Sequence, residues 1–294
     1  MYNLYSEKAF AKINLSLKII NKRDDGYHNL NSDVVFANLY DSINIKILET
    51  NNKSICLKIT GRFGKELINK PKQNIVYKAA LFFMEKYNIN SDIIISLSKN
   101  LPVASGIGGG SADAAATLRK LLKLYNMNKN IFYKNLNSEI AKTLGADIPA
   151  CLYSSSLNIK NIGDKITKLP INLKKTIIKN KYIILINPNN PISTKLVFNN
   201  WKKNPKLTNI LNTNKTCPKI GINNLKSTAE SIDNSIITAQ KFLSLQNGIT
   251  YFGMSGSGAT CFGLFKSKDL ANKAKNKIRC LRPKWWVKNS SIKI

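Results

Sequence analysis

Four short segments of this 294-residue chain hold residue types and spacings that could do chemistry. Lys12 and Asn14 stand two positions apart in Ala11-Lys12-Ile13-Asn14-Leu15, and Asp147 sits in Leu144-Gly145-Ala146-Asp147-Ile148-Pro149. A carboxylate and an ammonium together can activate an alcohol, whose own pKa is too high for it to attack unaided. The third segment is the loop Pro102-Val103-Ala104-Ser105-Gly106-Ile107-Gly108-Gly109-Gly110-Ser111, followed by Ala112. Four of the five residues from Gly106 to Gly110 are glycine, which lets backbone N–H groups close on an anion without interference from Cβ atoms. A helix beginning here adds its dipole and its unpaired N–H groups. Ser111, at or near the cap, can bond a phosphate or ligate Mg²⁺. The fourth segment, Gly253-Met254-Ser255-Gly256-Ser257-Gly258, does not fit the G-x-S-x-G nucleophile elbow. It reads equally as a turn that brings a substrate close to backbone and as a simple loop.

Other phosphate-binding signatures fail. Gly64-Lys65 is followed by Glu66, and Ile59 stands where a P-loop needs its first glycine. Ser111 occupies the last glycine or alanine of a dinucleotide fingerprint read from Gly106. Each candidate also has a plain structural reading. The glycine loop could be a surface turn, Asp147 an acid at a helix N-terminus, and Lys12 a solvated lysine on a strand. His28 is the only histidine, and a lone histidine is by itself more often structural than catalytic.

The elements that must position these residues are those of an α+β protein. Ala11, Ile13, Leu15, Leu17 and Ile19 alternate with Lys12, Asn14 and Ser16, which predicts one strand over 9–20 with a single buried face. Arg23-Asp24-Asp25-Gly26 makes a turn. Further strands are expected at 34–37, 43–48 and 55–59, and around Ile93, Ile95 and Leu97. Asn74 can cap a helix carrying Ile75, Ala79, Phe82 and Phe83. A helix from about Ala112 to Leu124 follows the glycine loop, and another carries Leu136, Ile140 and Leu144, with Gly145 at its C-terminal end. Composition shifts near residue 155, so two domains are expected, 1–155 and 156–294. Residues 187–219 are rich in Asn, Lys and Pro, with a short helix near Lys195–Trp201.

Hydrophobic residues make up 43% of the chain, enough for a core. Lys12 and Asn14 interrupt the apolar residues of the first twenty, so no signal peptide is expected, and no apolar run is long enough to span a bilayer. Five scattered cysteines, with no Cys-x-x-Cys pair, fit a reducing cytoplasm. The formal charge of +30 invites a nucleic-acid reading. The excess is nearly all lysine, dispersed along the chain and accompanied by many Asn and Ile, as A/T-rich codons would produce. Nucleic acid is therefore not expected as the main partner. Monomer and homodimer stay open.

Together the segments resemble the GHMP kinases (galactokinase, homoserine kinase, mevalonate kinase and phosphomevalonate kinase), whose phosphate loop has the form P-x-x-x-G-[LI]-G-x-S-[SA]-A. Residues 102–114 match a longer version found in the isoprenoid branch, through Pro102, Gly106, Gly108, Gly109, Gly110, Ser111, Ala112, Asp113 and Ala114. Residues 11–15, 23–28, 144–149 and 255–259 match the same branch in order, and residues 199–220 match poorly. The resemblance implies a fold with an N-terminal domain like ribosomal protein S5 domain 2 and a C-terminal ferredoxin-like domain. It implies ATP and Mg²⁺, bound by residues 102–112, with Asn74 and Lys99 near the adenine nucleotide and Ser111 near the metal. It implies Asp147 as base, with Lys12 beside it and the acceptor hydroxyl. The expected substrate is a cytidine diphosphate sugar alcohol of the non-mevalonate route to isopentenyl diphosphate, phosphorylated on its 2-hydroxyl. Asn14 would bond its diol, Tyr27 would stack on cytosine, His28 would hydrogen-bond the base, and Phe198, after Thr194, would cover the other face. The competing expectations are another family kinase, of homoserine or mevalonate type, and a basic nucleic-acid-binding protein.

Overall fold

The computed structural model describes residues 6–50, 52–201 and 219–293. Cys217 and most of the poorly matching stretch 199–220 lie outside them. The first strand, β1 (Glu7–Asn14), runs antiparallel to a 21-residue strand, β3 (His28–Leu48), with β2 (Lys18–Lys22) between them in sequence. β3 is the spine of the sheet. It also pairs with β5 (Asp92–Ser98), β6 (Leu157–Asn161) and the C-terminal strand β11 (Trp286–Lys293), while β4 (Ile55–Thr60) lies parallel to β5. β11 then carries the sheet into the second half of the chain. Its residues from Trp286 to Ser291 pair with β8 (Tyr182–Asn187), and Ile292 and Lys293 pair with β3. Beyond β8 lie β10 (Cys261–Phe265) and β9 (Ile249–Met254), and β7 (Lys165–Lys168) hangs from β6.

The sequence expectations change in three places. The single strand over 9–20 is broken into β1 and β2, with Leu15 and Leu17 held between them by hydrogen bonds to Gly221, Ile222 and Asn224. Its second face is buried too: Lys12 and Asn14 are each 2% exposed. The two strands expected at 34–37 and 43–48 are both parts of β3. The helix after the glycine loop, α2, spans Gly109–Leu124 and so starts three residues earlier than expected. Gly108 takes a left-handed conformation (φ +61°) and turns the chain directly into it, a backbone shape that glycine adopts without cost.

α2 packs on the sheet beside α1 (Ile75–Lys86), which Asn74 caps by accepting from the Val76 N–H at 2.9 Å. Ala112, Ala115 and Ala116 let α2 approach closely, and Leu118, Leu121 and Leu122 fill the core with Phe83 and Ile95. Each such leucine contributes about 1.5–3 kcal/mol on burial. α3 (Lys129–Thr143) and the short α4 (Ile148–Tyr153) close this half. A second core lies between β8–β10 and the helices Ser235–Ser244 and Lys268–Leu281. A third, with Ile13, Val35, Phe262 and Trp286, joins the halves. Among the described residues, no helix is long and apolar enough to cross a membrane.

Candidate active site

The two glycine-rich segments meet backbone to backbone. A Cβ on Gly106 would lie 2.5 Å from the Ser255 carbonyl oxygen and 2.6 Å from that of Gly258. No side chain fits there. Ser255 bridges the contact: its hydroxyl donates to the Gly106 carbonyl at 2.9 Å and accepts from the Asn14 N–H at 3.1 Å. The Thr260 N–H donates to the Ser105 carbonyl at 3.2 Å. The fourth segment is therefore a brace for the phosphate loop, a role its sequence left undecided. From the other side, the Lys12 N–H donates to the Ile107 carbonyl at 2.9 Å. The loop is thus set between β1 and the C-terminal half, and the N–H groups of Gly109, Gly110 and Ser111 begin α2 without intrahelical acceptors.

Lys12 is not a solvated lysine. Its Nζ donates to Asn14 Oδ1 and to Asp147 Oδ1, each at 2.9 Å. Asn14 is fixed in turn, donating through Nδ2 to Ser32 Oγ at 2.8 Å. Asp147 occupies the N-cap position of α4 but makes no side-chain capping bond, so the plain capping role does not hold. Its side chain is 41% exposed, which leaves a carboxylate oxygen accessible from the cleft. Gly163, in the turn between β6 and β7, packs against the Ala146 carbonyl with no room for a Cβ. That contact seats the backbone just before Asp147, and no local motif marks it.

Lys12, Asn14, Asp147, Gly108, Gly110 and Ser111 all line one cleft of about 420 Å³. Ala104, Ser105, Gly106 and Gly109 line it as well, and so do Thr194 and Phe198. Pro102, Ile107 and Ala112 are buried supports of the loop. The Pro102 carbonyl accepts from Ser105 Oγ at 2.8 Å. Val103 is partly buried and, like Asn74, lies outside the lining, although Ile75 beside Asn74 reaches it. Lys99, expected near the adenine nucleotide, lies beneath the loop, 1% exposed and paired with Asp41 and Asp113.

Thr194 opens the helix α6 (Thr194–Asn200), and its hydroxyl lies 2.9 Å from that of Ser257. α6 points Phe198 at His28, with ring centroids 5.2 Å apart. Trp201, just past the helix, meets the same imidazole edge-on at 5.7 Å. Trp201 was not among the expected site residues. Burial, with a smaller contribution from Lys22, pushes the His28 imidazole below its ordinary pKa. Tyr27 is 39% exposed, outside the cleft lining, and its N–H donates to Asp25 Oδ1 at 3.1 Å.

Two family descriptions match the chain. The family description "GHMP kinases N terminal domain" matches residues 74–155, and "GHMP kinases C terminal" matches 219–283. A 4-diphosphocytidyl-2-C-methyl-D-erythritol kinase of Clostridium botulinum (strain Loch Maree / Type A3) is 39% identical over 268 residues, covering 88% of this chain and 90% of the relative. The chain belongs to the GHMP kinases. A similarly named protein of Clostridium tetani is 34% identical over 290 residues, covering 92% of this chain and 95% of the relative. The GHMP fold is shared with solved structures. A 4-(cytidine 5'-diphospho)-2C-methyl-D-erythritol kinase superposes with a TM-score of 0.73 at 24% identity, covering 98% of this chain and 99% of the other. The homoserine kinase of Cytophaga hutchinsonii gives 0.67 at 18% identity, covering 99% and 98%.

Proposed function

We propose that this chain transfers the γ-phosphoryl group of ATP to the 2-hydroxyl of 4-diphosphocytidyl-2-C-methyl-D-erythritol, in the non-mevalonate route to isopentenyl diphosphate. The observation that carries the reading is the Lys12–Asp147 pair, 2.9 Å apart, in one cleft with the N–H groups that open α2. The relatives' names supply the acceptor.

Phosphoryl transfer needs positioning and charge neutralisation more than covalent chemistry. The loop from Gly106 to Ser111 holds the phosphates through backbone N–H groups. Asp147 accepts the proton of the 2-hydroxyl, whose oxygen forms the new bond to the γ-phosphorus. The bond from that phosphorus to the bridging oxygen breaks, and ADP leaves with the electron pair. The Lys12 ammonium, 2.9 Å from Asp147 Oδ1, aims that carboxylate and stabilises charge on the transferring group. Asn14 orients the acceptor diol. Mg²⁺ fits this site: Ser111 and Asp147, both with side-chain oxygens, line the same cleft, and Mg²⁺ commonly takes one or two protein oxygens alongside substrate phosphates. When bound, it neutralises charge on the phosphate oxygens.

Cytosine reading falls to the segment at the turn before β3 and to α6. Tyr27 supplies a stacking face from outside. His28, neutral at physiological pH, offers one donor and one acceptor, and Phe198 and Trp201 hold its ring. The chain divides near residue 155, with the phosphate loop and reacting residues in 1–155. The β6–β7 hairpin and β11 of 156–294 join the sheet of the first unit. The site of action is cytoplasmic.

The test is turnover. Purified protein with Mg²⁺, ATP and the cytidine diphosphate substrate should give ADP and the 2-phosphate in equal amounts. Folded protein that phosphorylates homoserine or mevalonate instead refutes the assignment.

A further inference from the structure

A buried charge cluster lies directly beneath the phosphate loop. Lys99, the residue after β5, donates through Nζ to Asp41 Oδ2 at 2.5 Å and to Asp113 Oδ2 at 2.7 Å. All three side chains are nearly inaccessible: Asp41 is 0%, Lys99 1% and Asp113 2% exposed. Asp41 belongs to the spine strand β3. Its other oxygen accepts from the N–H groups of Asn100 and, at 2.8 Å, Leu101, the residues that lead into the loop. Asp113 belongs to α2, two residues after Ser111. One ammonium therefore ties together the spine strand, the lead-in to the loop and the start of the helix. Gly109 rests on it: a Cβ there would come 3.1 Å from Lys99 Nζ.

The cluster holds two carboxylates against one ammonium in the buried interior, where unpaired charge is costly. Burial raises Asp113 well above the usual carboxylate range, against the pull of Lys99, and the Asp41 charge adds to the rise. Burial alone would lower Lys99, but the carboxylates of Asp113 and Asp41 outweigh it and hold the ammonium charged. Among the described residues, Asp113 Oδ1 has no hydrogen-bond partner. Lys99 is absent from the residues lining the cleft.

We propose that Lys99 is a positioning residue for the ATP loop: its ammonium, shared between Asp41 and Asp113, holds the lead-in and the first turns of α2 at the spacing that cradles the phosphates, and that ammonium touches no atom of the nucleotide. This rests on the kinase reading above.

Lys99→Met keeps most of the stem and removes the charge, leaving two buried carboxylates face to face. The KM for ATP should rise about tenfold or more, with kcat at saturating ATP and the acceptor KM within about threefold of wild type. The double variant Lys99→Met/Asp113→Asn decides between positioning and contact. It removes the carboxylate repulsion, and the new amide can donate to Asp41 Oδ2 in place of the ammonium. Its ATP KM should return to within about threefold of wild type. If the Lys99 ammonium touched the nucleotide, the double variant would bind ATP no better than the single one, and that result overturns the proposal. Should Lys99→Met fail to fold, the double variant alone decides, since a weak ATP KM with an intact melting temperature also overturns it. Calorimetry with a non-hydrolysable ATP analogue reads the same comparison whichever alcohol is phosphorylated. A wild type that binds no analogue sinks the kinase reading, and the positioning role with it.

Discussion

Replacing Gly108 with alanine should reach the reacting groups through the stem of Lys12. Gly108 has φ +61°, and an L-residue in that region costs about 1–2 kcal/mol. The new Cβ would lie 3.0 Å from Lys12 Cε and 3.3 Å from its Cβ, so the stem must give way by a few tenths of an ångström. That stem carries an ammonium held at 2.9 Å to both Asn14 and Asp147. A displacement of about 1 Å at a reacting group can cost roughly 10²-fold in rate, so a shift of this size should lower kcat about three- to tenfold. The strain should also lower the melting temperature, by about 2–4 °C for each kcal/mol. Gly110→Ala is the control. Its Cβ would meet only Ile75 Cγ2, at 3.5 Å, and it sits inside α2, where alanine outscores glycine by about 1 kcal/mol. It should melt no lower than wild type, and any kinetic loss should appear in the ATP KM. The assay is kcat and KM for both substrates, with melting curves, on the three proteins. If Gly108→Ala keeps wild-type kcat and loses only ATP affinity, the loop does not steer Lys12 and the coupling argued here is wrong.

Asp147→Asn retains an oxygen for the Lys12 ammonium and should keep the fold, but kcat should fall roughly 10²- to 10⁴-fold with little change in either KM; near-normal turnover would show that Asp147 only anchors Lys12. The depressed imidazole of His28 sets a pH dependence. The unfolded chain takes up that proton more readily, so this contribution is present above the ordinary value near 6.5 and is lost as pH falls through the lower folded value. Melting temperatures from pH 7.5 to 5 should therefore fall less steeply in His28→Gln than in wild type, and parallel curves would show that His28 titrates alike in both states. Tyr27→Ala and His28→Ala should raise the KM for the cytidine substrate, at about 1–3 kcal/mol each, and leave the ATP KM nearly unchanged. A rise in ATP KM instead would reverse the placing of the two ligands.

What the sequence revealed and what it hid differ by the span of the contacts involved. The Asn74 cap is legible because its partner, the Val76 N–H, is two residues away. The loop and its helix are legible because the glycines and the alanine-rich run adjoin. Lys12 reads as solvated because alternation places it off the apolar face, and the groups that bury and pair it come from far along the chain. Asp147 is 135 residues away, and Ser255, which accepts from the N–H of Asn14, is 241 residues from it. The same holds for Trp201 against His28, a contact that exists only once α6 folds back over the start of β3. The brace formed by the second glycine segment was illegible for a further reason. Gly256 lies against the backbone of Gly106 and Gly253 against that of Gly221, and a close approach between two backbones leaves no mark other than the absence of side chains on both.

The lysine excess shows how burial separates function from composition. With 46 cations against 16 acids, a lysine at any given position carries almost no information. Among the described residues, only Lys12, Lys99 and Lys120 are buried. Taking an ammonium out of water costs several kcal/mol unless partners compensate, so codon bias can scatter lysines over a surface but cannot hold them inside. Lys12 and Lys99 are each met by a carboxylate at 2.9 Å or less, one on either side of the phosphate loop. Arginine would not replace them, since its planar fork cannot direct one point charge at two acceptors in so little space. Two buried ammonium groups, each met by a carboxylate, therefore flank the glycine loop at places where composition alone could not hold them.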